Sequence, residues 1–149
     1  MPDIREIAEG ETHHAARALL ELRPQRAPVE TVVALADRQR AAGYRLVGSF
    51  EPGEDDAAAV AGFRVQENLA WGRHLYVDDL STRADRRGRG HGGALMRWLG
   101  REARRAGCAE LHLDSGVGAE REDAHRLYFN SGLRIASYHF QRPVGASEG

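Results

Sequence analysis

The stretch Asp85–Gly100, DRRGRGHGGALMRWLG, decides the fold. Gly88, Gly90, Gly92 and Gly93 lie among Arg86, Arg87, Arg89 and His91, and from Ala94 onward the residues become apolar at helical spacing. Leu95, Met96, Leu99 and Ala103 fall on one side of a helix predicted over Ala94–Ala106 and closed by Gly107. Glycines just before a helix let backbone N–H groups approach an anion, and the helix N-terminus adds partial positive charge. Phosphate is the natural ligand of such a loop, and its arginines favour an extended polyphosphate. Gly88 to Gly93 also satisfies G-x-G-x-x-G, with Asp114 about 20 residues further on. That fingerprint belongs in the first strand-to-helix turn of a dinucleotide fold. Here the connector STRADRR separates the loop from its strand, and the unit lies late in the chain. A P-loop is excluded because no Gly-Lys-Ser or Gly-Lys-Thr follows.

Working outward, GRHLYVDDLST (72–82) reads as the strand that feeds this loop, and ELHLDS (110–115) as the strand after the helix. Tyr44–Phe50 and Ala57–Gln66, joined by the turn-rich EPGEDD, complete an antiparallel meander. Before it, Pro2–Ile7 is a short strand. Glu11–Leu22 is a helix ended by Pro24, and Val29–Ala42 is a second helix with Gly43 at its C-terminal end. Glu120–Asn130 is a last helix, and Leu133–Gln141 a final strand or strand pair. The predicted order is β-α-α-β-β-β-α-β-α-β: a single-domain mixed central sheet of six to seven strands flanked by about four helices, over residues 1–143 with a tail at 144–149.

A chain of 149 residues buries roughly 68–70% of its unfolded surface as one domain. With 21 Lys+Arg against 22 Asp+Glu, no global charge draws it to nucleic acid or to an anionic membrane. A single cysteine, Cys108, excludes an internal disulfide and fits a reducing compartment; at the start of a strand it reads as a small buried hydrophobe. The N-terminus MPDIREIAEGE has charges where a signal peptide needs an apolar run, and nothing approaches the roughly 20 apolar residues of a spanning helix. These features predict a cytoplasmic protein with a small-molecule or peptide partner, and they are compatible with a homodimer. No Cys/His cluster has metal-ligand spacing, so no metal is expected.

Two motifs carry a family resemblance. Arg87–Gly92, read as R-x-x-G-x-G, resembles the acyl-coenzyme A pyrophosphate loop of the GCN5-related N-acetyltransferases, and AHRLYFNSGLR (124–134) is similar to that family's A-x-x-x-Y-x-x-x-G-F stretch. The resemblance covers roughly Gly72–Arg142. Leu133 stands where the family usually has Phe, and Arg121 where many members have Asn near the cofactor arm. LYVDDLST and AHRLY look most like the Hpa2-like subgroup of small-amine acetyltransferases.

The resemblance implies acetyl-CoA as cosubstrate and direct transfer to a primary amine in a ternary complex. It implies that the fourth strand splays from the fifth at a bulge, so that the backbone of Leu80 and Thr82 pairs with the pantetheine and the Leu80 N–H polarises the thioester oxygen. The cofactor contacts would be Leu80, Thr82, Arg87, Gly88, Arg89, Gly90, His91, Gly92, Gly93, His125 and Tyr128. Tyr128 matches the family tyrosine and is the candidate acid for the leaving thiolate. Independently of the resemblance, Asp78 and Asp79 are adjacent on an apolar strand, so one must lie inward or at a bulge. Either is a candidate base for an ammonium substrate and an attractor of cations. His74 is a further candidate base. A catalytically silent acyl-CoA sensor on the same fold is the rival function.

Overall fold

The structure, a computed structural model, describes residues 2–145. Residues up to Leu113 form one compact unit and those from Asp114 a second.

The first unit is built on one sheet in the order β1-β2-β3-β4-β5. The strands are β1 (Asp3–Ile7), β2 (Arg45–Phe50), β3 (Ala59–Asn68), β4 (Gly72–Thr82) and β5 (Glu110–Leu113). The first four pair antiparallel as a meander, and β5 joins β4 in parallel. Between β1 and β2 come α1 (Ala16–Leu22) and α2 (Val29–Arg40). Between β4 and β5 comes α3 (His91–Arg105). Where one helix over Glu11–Leu22 is predicted, Thr12–Ala15 is a 3-10 turn leading into α1.

Side chains alternate across a sheet, so register assigns the faces. Leu46 pairs with Gly62, and Val60 shares that face; with Tyr44, Ala18, Leu19, Val32 and Ala36 they form the core under α1 and α2. Phe63 lies on the other face, its ring edge-on to Trp98 of α3 at 5.7 Å. The predicted apolar stripe of α3 is buried in full: Leu95, Met96, Leu99 and Ala103.

One irregularity positions the site. Gly62 faces Asp79 while Phe63 faces Val77, which leaves Asp78 as an extra residue bulged from β4. The bulge shifts the alternation by one, so Asp79 falls on the Gly62 face, under α1. Gly62 has to be glycine for a contact reason: a Cβ there would lie 1.8 Å from the Tyr44 hydroxyl. Gly62→Ala should therefore displace the Tyr44 ring and cost about 1–3 kcal/mol as overpacking. Urea unfolding checks it, and an unchanged midpoint would contradict the packing described.

In the second unit, a 3-10 turn at Ala119–Arg121 precedes α4 (Glu122–Asn130). The predicted strand over Leu133–Gln141 is not formed: no ladder includes it, and Ile135, Tyr138 and Phe140 are exposed. Among the described residues the sheet thus has five strands rather than six to seven, and the observed order ends on a helix. Local alternation is a necessary sign of a strand, but a strand exists only when a neighbour completes its hydrogen bonds. Here the alternation also breaks phase between Ile135 and Tyr138. The expected tail at 144–149 lies outside the described residues from 146 onward.

Candidate active site

The β4–β5 ladder runs from His74 with Glu110 to Val77 with Leu113, and stops there. From Asp79 to Thr82, β4 is paired on its β3 side alone among the described residues. The direction of its backbone groups follows from one bond: the Arg83 N–H donates to the Ala58 carbonyl at 2.9 Å, toward β3. In an antiparallel ladder the groups of alternate residues point to the same side. Ser81 therefore turns toward β3, while Leu80 and Thr82 turn their N–H and C=O groups to the open edge. The Arg87 guanidinium uses that outward Thr82 carbonyl, donating to it at 3.4 Å.

The glycine loop follows directly. Gly88 and Gly90 take positive φ, +77° and +85°, which favours glycine, and Gly90 is the N-cap of α3. No side chain among the described residues caps this terminus. The first-turn N–H groups at Gly90, His91, Gly92 and Gly93 have no carbonyl to bond within the helix and form a site for an anion.

The loop arginines divide into two kinds. Arg86 makes a forked pair with Glu54, with bonds of 2.6 and 3.2 Å, and Arg89 is held by Glu51 at 2.7 Å. Arg87 has no carboxylate partner among the described residues. Of the three, Arg87 alone carries a charge that no carboxylate pairs among the described residues. His91 contributes its N–H to the first turn, whereas its ring is buried between Ser49 and Glu51: Nδ1 lies 2.6 Å from the Ser49 hydroxyl and Nε2 2.8 Å from the Glu51 carboxylate. Nε2 donates to the carboxylate, and this bond, with the Arg89 guanidinium, holds Glu51 below the usual carboxylate range. The Ser49–His91–Glu51 chain fastens the loop to β2. His91→Ala would orphan both partners and leave a cavity, costing about 2–4 kcal/mol. Thermal and urea unfolding check this, and wild-type stability would show that the chain does not hold the loop.

At the bulge both acids are already engaged. Asp78 receives Arg64 through two bonds of 2.7 Å. Asp79 accepts from the Tyr44 hydroxyl at 2.7 Å and from Arg23 Nε at 3.0 Å. Burial, then the neighbouring Asp79 charge, pushes the Tyr44 phenol far above its ordinary range, so it remains a donor. Arg23, at the C-terminal end of α1, also donates through Nη2 to the Asp78 carbonyl at 3.0 Å. These contacts make the pair neither a solvated strand end nor two free bases.

His74 sits at the far end of β4, six residues or about 20 Å from Leu80 along the strand, with its Nδ1 on the Gly72 carbonyl at 2.9 Å. It is removed from the open edge. Cys108 is half-buried rather than buried. In the second unit, His125 bonds Ser115 and the Gly116 carbonyl through Nε2, at 3.1 and 2.7 Å. Tyr128 is buried, and burial raises its phenol pKa. Among the described residues there is no group of three or more metal-ligating side chains, and no helix is long and apolar enough to cross a membrane.

Over 87 residues the chain is 38% identical to an uncharacterized N-acetyltransferase of Bacillus subtilis, YhdJ, which covers 58% of this chain and 60% of that one. The chain thus spans about three fifths of the length of that curated relative. A ribosomal-protein-alanine N-acetyltransferase from Brucella melitensis has the same fold, with a TM-score of 0.79 at 22% identity over 97% of this chain and 100% of that one. An aminoglycoside N-acetyltransferase, AAC(6')-Iy, solved in complex with CoA, matches with a TM-score of 0.80 at 17% identity, over 96% and 95%. The family model described as Acetyltransferase (GNAT) family matches residues 7–132, which takes in the bulged strand, the glycine loop and Tyr128, and the chain belongs to that family of N-acetyltransferases.

Proposed function

We propose that this chain transfers the acetyl group of acetyl-CoA to a primary amine by direct attack in a ternary complex. The observation that carries the reading is the one-sided edge of β4 beside the uncapped N-terminus of α3. The edge offers Leu80 and Thr82 backbone groups to the amides of a pantetheine arm, as a missing strand would. The helix terminus offers the N–H groups of Gly90, His91, Gly92 and Gly93, with the Arg87 charge, to a pyrophosphate. The Leu80 N–H, aimed at the edge, polarises the thioester carbonyl.

The amine nitrogen attacks that carbon, the C–N bond forms and the C–S bond breaks. The surplus proton of the amine passes to a carboxylate at the bulge, directly or through water, and the thiolate takes a proton from Tyr128, a role assigned on its motif. The Hpa2-like subgroup, with its small-amine acceptors, is the finer reading that LYVDDLST supports.

Initial rates with both substrates varied test the reading. A ternary complex gives intersecting reciprocal plots, and parallel plots would exclude direct attack. The existing ion pairs on Asp78 and Asp79 favour a second reading, the silent acyl-CoA sensor. A sensor would bind acetyl-CoA and release no thiol with any amine.

A further inference from the structure

The charges around the bulge carry information about the acceptor. Asp78 is neutralised by Arg64 through a forked pair, the geometry that holds a carboxylate most firmly. Asp79 is joined to Arg23 through one nitrogen only. Two carboxylates and two guanidiniums balance, so the bulge presents no spare negative charge to a polycation. The more exposed partner of the Arg23–Asp79 pair is the arginine, at 42% against 15%. Arg23 spends Nε and Nη2 on Asp79 and the Asp78 carbonyl, and its Nη1 makes no hydrogen bond among the described residues. The first charge an acceptor meets on the α1 side of the bulge is therefore positive, with a held carboxylate behind it.

We propose that the acceptor is an amino acid, an amine that also bears a carboxylate, and that Arg23 is the residue that reads the carboxylate. The proposal rests on the acetyl-transfer reading above. A zwitterion is the complement of the Arg23–Asp79 pair. Its carboxylate takes the guanidinium, its ammonium takes the place of the guanidinium on Asp79, and two ion pairs replace one. The exchange frees Asp79 to accept the ammonium proton, while the Tyr44 hydroxyl keeps the carboxylate in place. The freed nitrogen lone pair then forms the bond to the acetyl carbon as the C–S bond breaks with its electron pair on sulfur, and the second amine proton replaces the one that the thiolate takes, giving free thiol and the acetylated amine. Asp79 is one residue from Leu80, about 3.4 Å along β4, so an amine held at Asp79 lies beside the carbonyl that the Leu80 N–H polarises. Asp78, held by its fork, keeps its arginine throughout.

The test compares each of several amino acids with its decarboxylated amine and its amide, following acetyl-CoA-dependent thiol release by the full chain. Wild type should prefer the amino acid by roughly 10- to 100-fold in kcat/KM, the worth of one hydrogen-bonded charge. Arg23→Gln should erase that preference by raising the amino-acid KM, with the acetyl-CoA KM unchanged as evidence that the fold survives. Arg23→Lys should fall between. Amines or amides used as well as the acids by wild type, or a preference that survives Arg23→Gln, would overturn the proposal and leave acetyl transfer standing. Acetyl-CoA bound by calorimetry with no thiol released from any acceptor would overturn the transfer reading itself, and this proposal with it.

Discussion

Gly90→Glu loses acetyl-CoA binding while the fold survives. Gly90 caps α3 at φ +85°, and a Cβ there would meet nothing within 4 Å, so a longer side chain is sterically admitted. What the substitution changes is the ligand's side of the loop. A carboxylate placed where the pyrophosphate sits costs several kcal/mol of like-charge repulsion, a weakening on the order of a thousandfold. Gly92→Glu acts in the same way from the first turn of the helix. Gly90→Ala separates the causes: it carries only the strain of a left-handed backbone, about 1–2 kcal/mol, and should weaken binding far less. Calorimetric titration with acetyl-CoA, beside an unfolding curve for each variant, reads both effects. Wild-type affinity in the two Glu variants would remove the pyrophosphate from this loop.

The second large effect is on rate. Tyr128→Phe keeps the ring, and with it the packing of α4, but deletes the proton offered to the departing thiolate. Burial raises the phenol's pKa, so the group stays protonated through the neutral range and up past its ordinary value near 10. It is a donor at every pH at which the enzyme would be assayed. The rate should fall by about 10²–10⁴ if acid catalysis is fully used, with acetyl-CoA affinity and stability little changed. A coenzyme thiol with a pKa near 8.5 leaves partly unprotonated, so a tenfold drop would mark a smaller share of acid catalysis. Unchanged turnover, with chemistry shown to limit the rate, would make Tyr128 a packing residue.

The elements that place this site were largely legible because they are written locally. GRHLYVDDLST has the strand residues and the bounding glycine that set β4 at Gly72–Thr82, as the structure has it. The glycines before Ala94 mark an anion loop whatever the fold, and the adjacent aspartates require a bulge or an inward charge. The bulge is what forms, at Asp78. What the sequence hides is pairing across distance. Arg23 meets Asp79 from 56 residues away, Tyr44 from 35, and Glu51 reaches His91 from 40. None of these partners has a motif of its own, and each adds a contact: Asp79 is held by an arginine and a phenol, and the His91 ring fastens the loop while its N–H stays in the first turn of α3. Gly62 is the one indirect signal, a glycine inside a strand, where close approach of another group is the usual cause. The segment after Gly132 misleads for the opposite reason. Its alternation runs in two short stretches out of phase with each other and has no ladder to join.

Whether acetyl-CoA is the donor and an amine the acceptor is read from free thiol and acetylated amine followed together in one reaction. Purified wild-type chain should release thiol from acetyl-CoA in step with the acetylated amine, one for one, and release none without the acceptor. Tight binding of acetyl-CoA without either product, across an acceptor panel that includes amino acids and simple amines, would contradict the claim.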